Sequence, residues 1–177
     1  MALKGKKILA IVPARGGSKG IHRKNLRKIA GKSLVKLAAE YCKKFDFIDY
    51  SIISTDDNEI ISEAIDSGLS APFIRPIELS SDIATAKEVW IHAWKESESK
   101  LGFKFDISIL IEPTSPLRIK EDLIKSINLL LEGKDTGCTA TVSRIPGNLT
   151  PYKTHIANDD GFLSYYFEKA QDFPNRQ

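Results

Sequence analysis

Five consecutive apolar residues, Ile8-Leu9-Ala10-Ile11-Val12, run straight into Pro13-Ala14-Arg15-Gly16-Gly17-Ser18-Lys19-Gly20-Ile21-His22-Arg23-Lys24-Asn25. A short apolar run bounded by turn residues reads as a buried strand, and this one empties into a glycine-rich turn dense in cations. Connections between a strand and a helix are commonly about two to six residues long, and rarely so basic. Glycine lets backbone N–H groups come close to an anion, and arginine and lysine add charge-assisted hydrogen bonds. The ligand that suits such a turn is a polyphosphate.

The bulk of the chain agrees with a local site. Its 177 residues fit one domain with a sizeable core, and 42% apolar with 28% charged residues is ordinary for a soluble globular protein. The net charge of +3 is small, and much of the clustered charge lies in 15–28. That pattern favours an anion site over the broad basic face of a nucleic-acid binder. Cys42 and Cys138 lack CxxC spacing, which excludes a disulfide framework or zinc site; both lie in apolar periodic segments and are expected to be buried. The three histidines are scattered. With no N-terminal apolar leader and no apolar run of membrane-spanning length, the expectation is a cytoplasmic protein outside the membrane.

Strand-length apolar runs alternate with stretches of helical period. Residues 7–13 form the first strand; Ser33 caps a helix over 34–44, with Leu34, Leu37, Ala38 and Tyr41 inward. Tyr50 to Ser54 is a second strand. Asn58 caps a helix over 59–67, with Ile60, Ile61, Ala64 and Ile65 inward and Gly68 ending it. Thr85 and Glu88 have capping-box spacing ahead of a helix reaching about residue 99. Trp90 and Trp94 on it form a core stripe rather than a base-stacking pair. Residues 107–111 are a strand, 120–132 a helix stopped by Gly133, and Cys138 to Val142 is strand-like. This order predicts an α/β three-layer sandwich with a mostly parallel sheet. In such sheets ligands gather beyond the carboxyl ends of the strands, where 13–25, 54–58 and 112–118 converge.

Gly31-Lys32-Ser33 is not a Walker A motif, because the required upstream glycine position holds Leu26. The loop also lacks the three glycines of a dinucleotide fingerprint. What the loop does resemble, together with Ser54-Thr55-Asp56, Arg75-Pro76-x-Glu78-Leu79-x-Ser81-Asp82 and Pro113-Thr114-Ser115-Pro116-Leu117-Arg118, is the motif set of the acylneuraminate cytidylyltransferases, the CMP-sialic acid synthetases. The resemblance covers nearly the whole chain. It implies a nucleotide-diphospho-sugar-transferase-like fold and activation of a nonulosonic sugar acid with CTP, giving a CMP-sugar and pyrophosphate. By it, Arg15, Gly17, Ser18, Lys19 and Lys24 hold the triphosphate and Asn25 fixes the nucleotide. Arg75, Asp82 and Thr85 face the nucleotide, and Glu112, Thr114, Ser115, Arg118 and Gln177 face the sugar. Arg15, Lys19 and Arg176 are the catalytic candidates. Magnesium and a homodimer are family expectations.

The sequence also departs from the family. Ala84 and Ala86 stand where hydroxyl residues are often seen, and Glu112 stands where the family usually has Gln. Glutamate removes two N–H donors and adds negative charge, so a sugar acid with an amino or amidino substituent becomes a candidate substrate. Phe173-Pro174-Asn175-Arg176-Gln177 resembles the approach to the family's Arg-Gln segment near the sugar pocket. The family's later metal-binding carboxylate pair and dimer-forming region have no counterpart, so residues 1–177 read as one nucleotidyltransferase domain, C-terminally incomplete relative to the family. Asp56 and Asp57 read as loop and helix-start residues rather than a metal cage. Other readings stay open: a solvated helix-start face for Lys24, Arg27 and Lys28, a surface ion pair for Arg75, and simple capping for Thr85. So do a CMP-Kdo-type synthetase and a truncated nucleotide-binding module without turnover.

Overall fold

A computed structural model describes residues 5–133, 137–142 and 155–166. The chain divides into two compact units, Met1–Ile124 and Lys125–Gln177.

The first unit is built around strand β1 (Ile8–Pro13), which pairs in parallel with β4 (Tyr50–Ser54) on one side and β5 (Ile107–Leu110) on the other. The registers run Leu9↔Tyr50 to Pro13↔Ser54 and Ile8↔Ile107 to Ile11↔Leu110, so the carboxyl ends of all three strands come out together. Ile8, Leu9, Ala10, Ile11 and Val12 are each 0% exposed. Successive strand residues face opposite sides of a sheet, so both faces of β1 are covered, as expected of a parallel α/β sheet. One face carries Leu9 and Ile11, clustered with Ile52, Phe73, Ala93 and Phe105 and flanked by Trp90 and Trp94. Burying each isoleucine is worth roughly 1.5–3 kcal/mol, so the strand ends are rigid ground for any loop anchored on them.

Between β1 and β4 lie a two-stranded ribbon, β2 (Lys28–Ile29) and β3 (Lys32–Ser33), and helix α1 (Leu34–Cys42). The ribbon was not evident in the hydrophobic pattern; its signal was Ala30-Gly31, both at positive φ (49° and 81°), as a tight hairpin turn requires. Ser33 caps α1, its Oγ accepting from Lys36 N at 2.9 Å. Helix α2 (Asn58–Asp66) is capped one residue earlier than the sequence suggested. Asp57, not Asn58, accepts from Glu59 N (2.8 Å) and Ile60 N (3.1 Å). With that start, Ile60 and Ala64 form the buried face and Ile65 turns outward to solvent. The outer edge of β4 is closed by Ser70, which exchanges backbone bonds with Ser51 and Ile53.

Helix α3 (Ala86–Leu101) begins with a complete capping box on Thr85 and Glu88. Both tryptophans pack at the core margin, and Trp90 Nε1 donates to Ser108 Oγ at 2.8 Å, in keeping with the core-stripe reading. Helix α4 (Lys120–Glu132) crosses the division between the units.

Among the described residues of the second unit, β6 (His155–Ala157) and β7 (Leu163–Tyr165) form an antiparallel hairpin around Asn158 and Gly161. The strand expected over Cys138–Val142 is absent. Thr139 is instead drawn to a helix, accepting from Ser126 Oγ and donating to Ser126 O. Cys138 is exposed, against the expected burial, whereas Cys42 is buried and its thiol is pushed up to about 11 by desolvation. No helix among the described residues is long and apolar enough to cross a membrane.

The capping box yields a direct test. Thr85→Ala should lower stability by about 1 kcal/mol in urea unfolding. Hydrogen bonds from Thr85 hold the Glu88 carboxyl below its usual range. The stabilisation is therefore full above that range and lost as pH falls through the lowered value, and Thr85→Ala should flatten that part of the acid limb.

Candidate active site

The ladder continues one residue past β1, with Ala14 N donating to Ser54 O at 2.9 Å. The loop beyond is then tied down from inside. Gly16 N donates to Asp56 Oδ1 at 3.0 Å, and the buried Asn25 donates from Nδ2 to Arg15 O at 2.9 Å. A Cβ on Gly16 would stand 2.7 Å from Asp57 Oδ2 and 2.9 Å from Asp57 Cβ, so only glycine fits there. Gly17 and Gly20 differ: neither is at positive φ and a Cβ on either would meet open space. Nothing in the fold demands glycine at these two positions, while close approach of a ligand to the backbone would.

The cations fall into distinct settings. Arg15 Nη1 donates to the carbonyls of Ser81 (2.8 Å) and Ser80 (3.5 Å), while its Nη2 meets Asp82 Oδ1 at 2.6 Å. Lys19 Nζ pairs with the other oxygen of the same carboxylate, Oδ2. Lys19 and Arg15 hold the Asp82 carboxyl below its ordinary range. Arg75 is buried and forms no surface ion pair; it donates to Ser54 Oγ (3.0 Å) and Ser54 O, and its own N–H donates to Thr55 O (2.8 Å). Burial pushes its guanidinium down to about 10, opposed by Asp56, so it stays cationic at neutral pH. Arg23, at φ 53°, pairs with Glu59 (2.5 Å) and lies 3.7 Å from Asp57. Lys24 and Ser18 are half-buried, and Lys24 has no ion pair among the described residues; Arg27 and Lys28 are exposed.

The third segment leaves β5 beside β1, with Ile111 N donating to Ile11 O at 2.8 Å. Glu112 to Ser115 closes a turn, and Arg118 secures it by donating to Glu112 O (2.5 Å) and Ser115 O (2.9 Å). Arg118 thus serves the main chain of Glu112, not its carboxylate. The Arg118 guanidinium lies 5.9 Å from the centre of the Tyr41 ring, and burial lowers its pKa. Glu112, Thr114 and Ser115 are exposed, and among the described residues no hydrogen bond joins this turn to the 13–25 loop. Thr85 is fully used by its capping box. Arg176 and Gln177, like Phe173 to Asn175, lie outside the described residues.

Among the described residues no group of three or more His, Cys, Asp or Glu side chains could hold a metal ion. Asp56 is engaged by Gly16 N, and Asp57 by the α2 backbone and Arg23. These residues do not fit a protein magnesium cage.

A family model described as cytidylyltransferase matches residues 9–169. The chain belongs to the cytidylyltransferase family. Among its relatives, the post-translational flagellin modification protein B of Campylobacter coli is 31% identical over 96% of this chain and 70% of its own length. The pseudaminic acid cytidylyltransferase of Campylobacter jejuni is 44% identical over 72% of this chain and 55% of its own. The CMP-N,N'-diacetyllegionaminic acid synthase of Legionella pneumophila is 32% identical over 89% and 66%. The chain therefore spans between 55% and 70% of the length of these relatives. The fold is shared with the CMP:2-keto-3-deoxy-manno-octonic acid synthetase complexed with CTP, at a TM-score of 0.60 and 18% identity, over 73% of this chain and 49% of that one.

Sequence reasoning missed the Ser80 and Ser81 carbonyls that aim Arg15, because a main-chain acceptor leaves no trace in residue type. It also missed the wedge of Asp57 against Gly16, for which the glycine was the available signal. Two substitutions separate these roles. Gly16→Ala should cost about 1–3 kcal/mol of stability by driving a methyl into Asp57. Gly17→Ala should stay within about 0.5 kcal/mol of wild type in the same urea titration yet weaken pyrophosphate binding measured by calorimetry.

Proposed function

We propose that the chain is the nucleotide-binding part of a CMP-sugar synthetase that activates a nonulosonic acid with CTP. The observation that carries this is the placing of Arg15, Lys19 and the open Gly17 and Gly20 backbone on the carboxyl end of β1. Neighbouring strands leave β1 on opposite sides, which makes that end the sheet's switch point, where α/β sheets take their ligands. The relatives' names, pseudaminic acid cytidylyltransferase and CMP-N,N'-diacetyllegionaminic acid synthase, support a sugar acid of this class.

In the reaction an oxygen of the sugar acid attacks the α-phosphorus of CTP. The new P–O bond forms as the bond to the β-phosphate oxygen breaks, and the hydroxyl proton passes to water or to the departing pyrophosphate. Negative charge grows on that leaving group. Arg15, anchored through Nη1 on the Ser80 and Ser81 carbonyls, and Lys19 stabilise it there. Arg75, fixed on Ser54, keeps a buried positive charge behind the loop. Glu112, whose carboxylate accepts no hydrogen bond among the described residues, is available to a donor on the sugar. Magnesium enters this reading only as an ion arriving on the triphosphate.

Calorimetry with CTP, UTP, ATP and GTP tests the nucleotide half: saturable binding selective for CTP and lost in Arg15→Ala is expected. Absence of CTP binding by a cooperatively melting chain overturns the reading. Pyrophosphate release with pseudaminic, N,N'-diacetyllegionaminic, N-acetylneuraminic and 2-keto-3-deoxy-manno-octonic acids tests the chemistry, and CTP binding without release identifies a nucleotide-binding module. Where release occurs, Glu112→Gln should shift the kcat/KM ratio between amino-bearing and N-acetylated acids by about tenfold, the worth of one charged hydrogen bond. An unchanged ratio removes Glu112 from sugar selection.

A further inference from the structure

The two cations best placed for a polyphosphate, half-buried Arg15 and exposed Lys19, are both engaged by a single side chain. Asp82 offers one oxygen to Arg15 Nη2 at 2.6 Å and the other to Lys19 Nζ. One carboxylate bridging two cations through separate oxygens has the pattern in which a phosphate group would bridge them. Asp82 does not face the loop as a donor, and it can donate nothing to an anionic ligand while ionised.

The guanidinium of Arg15 is divided between two tasks. Nη1 is anchored on the carbonyls of Ser81 and Ser80, which no ligand needs to disturb. Nη2 alone carries the Asp82 contact. Lys19 is more open to water still, with a side chain 81% exposed, and the carboxylate it meets is 41% exposed. Ion pairs this open to water are worth little, typically about 0.2–1 kcal/mol each. They are strong enough to draw two cations together on one carboxylate and weak enough to yield to a ligand of higher charge. Neither Arg15 nor Lys19 has another acidic partner among the described residues.

We infer that Asp82 is a built-in counter-ion occupying the polyphosphate subsite of the loop, and that the nucleotide's phosphates bind by displacing it. The inference rests on the polyphosphate reading of the loop and adds a regulatory element to it. Asp82 positions Arg15 and Lys19 in the empty site and competes with the ligand in the filled one. While paired, it also lowers the loop's pull on unwanted anions, because a small monovalent anion cannot outbid both contacts.

The sign of one mutational effect separates this role from a structural one. Removing a mere structural support weakens ligand binding, whereas removing an internal competitor strengthens it. Titration of the full chain with inorganic pyrophosphate and with CTP, by calorimetry, compares wild type, Asp82→Asn, Asp82→Ser and Arg15→Ala. Asp82→Asn should bind pyrophosphate about three- to tenfold more tightly, the loss of two exposed ion pairs, while melting slightly below wild type. Asp82→Ser should do the same, and it decides the matter if the first variant does not fold. Arg15→Ala should abolish binding. Equal or weaker binding by the Asp82 variants, with wild type still binding, overturns the counter-ion role and leaves the polyphosphate reading intact. Failure of wild type and both Asp82 variants to bind either probe, with cooperative melting, overturns the polyphosphate reading and this inference together.

Discussion

The parallel ladders on both sides of β1 set the terms for the first unit. Because Ile8 to Val12 are sealed on both faces and hydrogen-bonded along both edges, the strand cannot shift register without exposing a whole set of apolar side chains. Its end at Pro13 is therefore fixed against Ser54 of β4, and Ile111 beyond β5 is fixed against Ile11. A loop leaving such a point starts from a known place and direction. The bonds Ala14 N to Ser54 O and Gly16 N to Asp56 Oδ1 carry that order outward for three residues past the strand.

Beyond that the loop holds itself by polar contacts, and burial decides which of them are permanent. Arg75 is 4% exposed and rests on Ser54, so removing its side chain would take the donor from the buried Ser54 hydroxyl at the end of β4. Asn25 is buried and spends its amide on Arg15 O. These two polar groups are part of the scaffold. Arg118 plays a similar part for the 112–115 turn, donating to two main-chain carbonyls. A cation bonded to a buried or turn-forming carbonyl adds a second, charge-assisted bond there, as Arg75 does at Ser54 O beside Ala14 N and Arg118 at Glu112 O beside Ser115 N.

Much of this order was legible in the residues. Apolar runs without alternation placed β1, β4 and β5, and the Ser33 and Thr85 caps marked helix starts, because capping depends on side chains that the sequence names. Asn58 was the wrong choice of cap because Asp57 and Asn58 are both good capping residues, and the backbone angle at 57 decides between them. Cys138 to Val142 had strand-like composition, but a strand exists only against a neighbour, and Thr139 found Ser126 instead. The ribbon of β2 and β3 is two residues per strand, too short for a period to register. Within the site, the motif identified which residues are gathered. Its division into buried groups that hold the fold and groups open to solvent depended on exposure, which residue type does not encode.

That division turns on a difference between arginines that look alike in sequence. Arg75 and Arg118 give their N–H groups to neighbouring serine and turn acceptors, and burial lowers the pKa of each. Arg15 does both things at once, with Nη1 on carbonyls and Nη2 on an exposed carboxylate. An arginine fixed entirely by the scaffold has no donor left to offer, and one free in solvent pays side-chain entropy each time it binds. Anchoring one nitrogen and leaving the other exchangeable avoids both problems. It gives a preorganised cation whose remaining hydrogen bonds are open to negotiation by charge, which is what the proposed binding of a triphosphate and release of pyrophosphate would require.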